Sequence, residues 1–197
     1  MIERDIILVD MDDTLAGFYN GSTASISPPD RVSRTEFYSE HNYPPELHGS
    51  IESTYLAPGF HRSLEPLPDI HHGWHTLIEN GFKPRIASAP NLNNPTCIED
   101  KIGWVEDNMV SAFGHSVIDE MIIDKEKWKY PALALIDDRP TVAKGPNGNH
   151  VATWEHVLYG WENLPVVPLA DTAFRLIRWS DIDSIIPTLN SLRNTKG

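Results

Sequence analysis

The stretch Ile6-Ile7-Leu8-Val9-Asp10-Met11-Asp12-Asp13-Thr14 decides how the chain is read. Its four leading residues are all apolar and too few for a helix with a buried face of its own, so they predict a buried strand of a parallel sheet. Two carboxylates, Asp10 and Asp12, follow at once. Open α/β sheets carry their chemistry just beyond the C-terminal ends of their strands. Asp10 and Asp12 are therefore candidate site residues, and the rest of the chain is read for groups that complete the site.

After Leu15 the pattern changes. From Gly17 to Pro68 the chain holds seven prolines and scattered aromatics, among them Phe18, Phe37, Tyr38, Tyr55 and Phe60. A structureless loop of that length is uncommon inside a compact domain. A small cap of short helices inserted after the first strand is expected over residues 18–61, leaving 1–17 and 62–197 as the core domain. Ser33-Arg34-Thr35-Glu36 has the spacing of a capping box and predicts a helix start within the cap.

Past the cap, Asp69 is placed to cap a helix whose apolar face is Ile70, Trp74, Leu77 and Ile78, with Gly81 beyond its end. Phe82 to Ala87 predicts a second strand, ending at Ser88-Ala89-Pro90. Asn94-Pro95 opens a further helix, with Ile98, Ile102, Val105 and Met109 as its buried face. Met121 to Ile123 and Ala132 to Ile136 predict strands, the latter running into Asp137-Asp138-Arg139-Pro140. Residues 151–158 and 174–177 predict two more before a short terminal helix. Strands alternating with helices argue for an α/β fold, a Rossmann-like three-layer core on a parallel sheet.

The net charge of −12 sets the surface against polyanions, so no nucleic-acid polymer is expected as a partner. A small anion can still bind where a metal and a few lysines converge. A single cysteine, Cys97, excludes an internal disulfide and fits a reducing compartment. No apolar run reaches membrane-span length and the first residues are charged, so a cytoplasmic location off the membrane is expected.

The predicted strand ends carry Asp10 and Asp12, then Ser88, then Asp137 and Asp138, with Lys101 and Lys127 between them. On one sheet edge these groups suit phosphoryl transfer from a monoester. One carboxylate attacks phosphorus and a second moves the proton of the leaving oxygen. Carboxylates and phosphate repel at contact distance, which calls for a hard cation such as Mg²⁺ held by oxygen ligands. A serine and lysines then hold the remaining phosphate oxygens.

Asp10-Met11-Asp12-Asp13-Thr14 resembles the first motif of the haloacid-dehalogenase-like phosphatase superfamily. Ser88, Lys127 and Leu135-Ile136-Asp137-Asp138 resemble its later motifs, in order. More closely, Leu64-Glu65-Pro66-Leu67-Pro68, Lys101…Trp104-Val105-Glu106, Ile136-Asp137-Asp138-Arg139-Pro140 and Trp154-Glu155-His156-Val157-Leu158 resemble the 5'(3')-deoxyribonucleotidase family. The resemblance covers most of the chain and fails mainly in the cap. It implies a Mg²⁺-dependent hydrolase of (deoxy)nucleoside monophosphates acting through an aspartyl-phosphate. It implies Asp10 as nucleophile and metal ligand, and Asp12 as general acid and base, binding the metal through its backbone carbonyl. Asp138, with Asp137 close behind, would complete the metal site, and Ser88, Lys101 and Lys127 would contact the phosphate. Phe18 matches an aromatic that packs on the nucleoside, Phe37-Tyr38 loosely matches an aromatic pair in the family's cap and joins it as a substrate-binding candidate, and the family resemblance also points to a homodimer. Two departures stand out. Asp13 replaces a common glycine. Ala89 stands where many relatives have serine, leaving a backbone N–H alone for one phosphate hydrogen bond.

Other features read as structural. His71 and His75 have a zinc-like i, i+4 spacing but no third ligand by spacing. Cys97 has no evident histidine partner, and most of the tryptophans read as packing. A phosphatase of the same superfamily with another small substrate, and a catalytically silent nucleotide-binding module, both remain open at this point.

Overall fold

The computed structural model describes residues 3–161 and 174–195. Six strands form one parallel sheet in the order β3-β2-β1-β4-β5-β6, with β1 Ile6–Val9, β2 Lys83–Ser88, β3 Ile122–Ile123, β4 Ala134–Asp137, β5 Glu155–Tyr159 and β6 Phe174–Leu176. The order reverses at β1, which pairs with β2 on one side and β4 on the other. That switch point is where an open sheet leaves a crevice at its C-terminal edge.

Period-two alternation explains the three layers. On β1, Ile7 and Val9 enter one buried cluster while Ile6 and Leu8 enter another on the opposite face. Ala134 and Ile136 of β4 join the first cluster and Leu135 the second. The fold is thus the expected Rossmann-like α/β core, with seven helices among the described residues: α1 Phe18–Ser22, α2 Pro45–Tyr55, α3 Ile70–Glu79, α4 Cys97–Asn108, α5 Val110–Phe113, α6 Ser116–Asp119 and α7 Ile186–Thr195. None of them is long and apolar enough to cross a membrane.

The chain leaves at Gly17 and returns at Glu65 side by side. The Gly17 N–H donates to the Glu65 carbonyl at 2.9 Å and the Leu67 N–H to the Leu15 carbonyl at 2.8 Å. The outgoing and returning backbones are thereby stitched antiparallel beside β1. Within the segment, Tyr19, Ile26, Tyr43 and Ile51 form a small buried cluster of their own.

Several local expectations are corrected. Ser33 to Glu36 starts no helix: Asn42 Oδ1 accepts the N–H groups of Thr35 at 2.7 Å and Glu36 at 2.8 Å, satisfying donors a helix would have used. Asp69 precedes α3 in a left-handed conformation, φ 62°, and makes no side-chain cap. α4 begins at Cys97 behind Thr96, whose N–H the Asn94 Oδ1 accepts at 3.0 Å, so the cap lies two residues later than expected. Ile78, Ile98 and Ile102 are exposed rather than buried. The inner face of α4 is instead Cys97, Lys101, Trp104 and Val105. A lysine on that face breaks the apolar pattern, and its reason lies in the site.

Candidate active site

The turn after β1 delivers the acidic groups. The Met11 carbonyl accepts the N–H groups of Leu15 at 2.8 Å and Ala16 at 2.9 Å, folding the chain back on itself. The Asp10 N–H donates to the Ile136 carbonyl at 2.8 Å, so β1 and β4 bring Asp10 and Asp137 side by side. Lys127, on a short 3₁₀ turn, places its Nζ 2.6 Å from Asp10 Oδ1 and 2.6 Å from Asp137 Oδ2.

Asp10, Asp137 and Asp138 are buried, and each offers a carboxylate oxygen within 4.8 Å of the others. Three hard oxygen donors at this spacing fit a hard divalent cation. Asp12 does not join them by its carboxylate. Its Oδ2 accepts from Lys101 Nζ at 2.7 Å, and the same Nζ donates to Ser88 Oγ at 2.8 Å. Among the described residues no protein donor reaches the buried Asp12 Oδ1. Arg34, from the inserted segment, lies with Nη1 2.9 Å from Asp13 Oδ2 and 2.9 Å from Asp138 Oδ2.

Burial drives the carboxylates toward their neutral forms. It pushes Asp10 up to about 6 against the pull of Lys127. It pushes Asp13 up to about 6 against Arg34, and Asp138 well above the ordinary range despite Arg34. Burial pushes Asp137 the same way, but the charge and hydrogen bond of Lys127 outweigh it and hold Asp137 low. Lys127 is correspondingly raised: burial works against its charge, and Asp10 and Asp137 overcome it. The ion pairs join five aspartates (10, 12, 13, 137 and 138) to only three cations, Lys101, Lys127 and Arg34, so acids outnumber bases within this network.

A cavity of about 320 Å³ opens before these groups, the size of a small-molecule site. Asp10, Asp12 and Lys127 line it together with the aromatics Phe18, Phe37 and Tyr55. Ala89 and the half-exposed Tyr38 also reach it. Ser88 and Lys101 are fully buried one layer behind, reaching the site through Asp12. This is why α4 carries a lysine on its inner face. Tyr55, Lys125 and Arg139 line the cavity as well; their weak signal in sequence was proximity to the motifs and membership of the aromatic-rich insertion. Arg34 was hidden inside the capping-box reading.

His71 lies exposed with its Nε2 2.7 Å from the Asn108 carbonyl, and His75 is exposed beside Glu79. Cys97, read as lacking a histidine partner, has one: His61 Nε2 lies 3.7 Å from its Sγ. Burial lowers His61 to about 4 and raises the Cys97 thiol, so the pair is neutral. A buried neutral histidine has a pH consequence. Between about 6.5 and 4 the unfolded state takes up a proton that folded His61 refuses, so its contribution is lost as pH falls through that window. Asp10 and Asp13 pull the other way over the same range. The readout is therefore the stability difference between wild type and His61→Gln. It narrows by up to about 3 kcal/mol from pH 7 to pH 4; denaturant unfolding that shows a constant difference refutes this.

The family model described as 5' nucleotidase, deoxy (pyrimidine), cytosolic type C protein matches residues 4–159. The human cytosolic-type 5'(3')-deoxyribonucleotidase is 29% identical over 188 residues, 89% of each chain. A candidate 5'(3')-deoxyribonucleotidase of Bordetella pertussis is 29% identical over 159 residues, 81% of each chain. A haloacid-dehalogenase family hydrolase of Deinococcus radiodurans, solved with phosphate and sodium, superposes with a TM-score of 0.55 at 12% identity over 94% of this chain and 96% of its own, a likeness of fold. With the matched region running from β1 through β5 and holding every strand-end carboxylate described above, the chain belongs to the 5' nucleotidase, deoxy (pyrimidine), cytosolic type C family, phosphomonoester hydrolases on a haloacid-dehalogenase-like fold.

Proposed function

We propose that the protein hydrolyses (deoxy)nucleoside 5'(3')-monophosphates with Mg²⁺ through an aspartyl-phosphate on Asp10. The observation that carries this is the meeting of two differently held aspartates. Asp10 is braced by Lys127 among the carboxylates that fit a cation. Asp12 is braced by Lys101 with one oxygen free of protein donors. A nucleophile and an acid have opposite needs, and this site gives each its own environment.

In this reading an Asp10 oxygen attacks phosphorus while Asp12 protonates the departing nucleoside oxygen. Asp12 then takes a proton from water as that water attacks the aspartyl-phosphate, releasing phosphate and restoring Asp10. Lys101 and Ser88 keep Asp12 in place, and Lys127 aligns Asp10 and offers its charge to the phosphate. Asp10, Asp137 and Asp138 would hold the Mg²⁺, and the family resemblance adds the Asp12 backbone carbonyl. When bound, the ion neutralises phosphate charge next to the attacking carboxylate. Residues 18–61 serve as the cap, whose aromatic wall of Phe18, Phe37, Tyr38 and Tyr55 suits a nucleobase. A cytoplasmic, homodimeric protein belongs to the same reading.

The test is phosphate release from nucleoside and sugar monophosphates in Mg²⁺ and in EDTA. Deoxynucleotides are expected to lead the panel, and EDTA to remove the activity. Sugar phosphates turned over faster than every nucleotide point to another small phosphomonoester. Nucleotide binding without turnover points to a silent module.

A further inference from the structure

Asp13 stands apart in the acidic turn. Its φ of 51° lies in the left-handed region that side chains rarely adopt. It adds a partly buried carboxylate to a site already crowded with them, yet it is not among the three that fit a cation. Its Oδ1 accepts the Tyr19 N–H at 2.8 Å and its Oδ2 faces Arg34. Its bonds thus run to the inserted segment.

Arg34 gathers that segment onto the core. Nη1 is shared between Asp13 and Asp138, and Nη2 donates to the Phe37 carbonyl at 2.7 Å. The guanidinium carbon sits 5.2 Å from the Phe37 ring centre and 4.4 Å from that of Trp161. Trp161 Nε1 in turn donates to the Asp138 carbonyl. One side chain thus links the turn after β1, the residue after β4, the second residue after β5 and the loop that carries Phe37. No helix holds that loop, since residues 31–35 have no regular structure. A planar fork with fixed donors is suited to this and a lysine is not.

We propose that Arg34 is a positioning residue: paired with Asp13, it clasps the cap loop to the core and so sets Phe37 as the wall against which the nucleobase of the substrate rests. The inference rests on the nucleotidase reading above. Asp13 is the anchor, because Asp138 belongs to the cation group and its oxygens are contested there. Arg34 touches the cation group only through its bond to Asp138, so the clasp acts mainly on substrate affinity and reaches the reacting centre through that one contact.

The experiment compares wild type, Arg34→Gln, Asp13→Gly and the double variant in steady-state hydrolysis of thymidine 5'-monophosphate. Inorganic phosphate serves as inhibitor, and thermal midpoints are measured in parallel. Arg34→Gln is expected to raise KM about tenfold, the scale of one lost charge-assisted contact, while kcat and the phosphate inhibition constant, reached only through the shared bond to Asp138, change several-fold less. Asp13→Gly gives a similar KM, and the double variant is no worse than either single, the non-additivity of a shared contact. Glycine at 13 also recovers thermal midpoint in the Arg34→Gln background, because it removes a partly buried carboxylate left without its cationic partner and relieves a positive φ. An unchanged KM, additive effects, or KM and phosphate inhibition shifting together overturn the proposal, the last by placing Arg34 in the phosphate centre. If wild type turns over no nucleotide, the nucleotidase reading fails and the nucleobase role of Phe37 falls with it. The coupling of thermal midpoints then judges the clasp alone.

Discussion

Asp10→Asn gives a protein that releases no measurable phosphate yet unfolds at a higher temperature than wild type in EDTA. The loss of turnover is about 10⁴-fold or more, because the amide removes the attacking charge from a set of groups that act as a unit. The gain in stability comes from the same atom. Burial raises Asp10 to about 6 from an ordinary 3.8. A carboxyl raised on folding favours the folded state fully only below its unfolded value, and that contribution is lost as pH rises through 6. At pH 8 the ionised Asp10 therefore opposes folding by up to about 3 kcal/mol. Asparagine keeps an oxygen for Lys127 and removes that cost. The advantage of the variant should shrink toward pH 4, where Asp10 is protonated in the folded state and partly protonated in the unfolded one. Phosphate release and thermal melts at pH 8 and pH 4.5 check both halves. Activity within tenfold of wild type moves the nucleophile elsewhere, and a variant less stable at every pH removes the account of strain at Asp10.

The strand ends were legible in the sequence because sheet chemistry is local. A short apolar run followed at once by Asp10 and Asp12, and another by Asp137 and Asp138, fixes both the strand and the place of its carboxylates. Lys101 and Lys127 were legible as residues but not in their partners. Lys101 turns out to be a fully buried lysine on the inner face of α4, and this is also why the apolar pattern misled there. Ile98 and Ile102 were assigned to the buried face by type, whereas burial followed the geometry of the site. Arg34 was illegible because its partners lie 21 and 104 residues away. Its neighbours mimic a capping box, while the donors such a helix would need are taken by Asn42. His61 and Cys97, 36 residues apart, meet only through the fold. Long-range polar pairs leave no period in a sequence, whereas apolar faces do.

The second large effect falls on stability and reads out the cation site without any turnover. Lys127 has a side chain only 7% exposed and holds both Asp10 and Asp137. Lys127→Met keeps the length of the side chain and deletes the charge, leaving Asp10, Asp137 and Asp138 crowded with no ammonium between them. Breaking a buried pair in this way costs about 3–5 kcal/mol, which lowers the melting temperature of a domain of this size by about 10 °C in EDTA at neutral pH. Lys125→Met, its exposed neighbour, should leave the temperature nearly unchanged. Mg²⁺ should then recover part of the loss, since an ion that binds the folded state alone stabilises it in proportion to the logarithm of its concentration. The Mg²⁺-induced rise should be larger in Lys127→Met than in wild type, because in wild type the ammonium already neutralises part of the charge the ion would meet. Thermal melts of the three proteins across a Mg²⁺ series measure this directly. Melts in EDTA and in Mg²⁺ that coincide for every protein would show that the three carboxylates hold no divalent ion and that the charge balance of the site is closed by lysine and arginine alone.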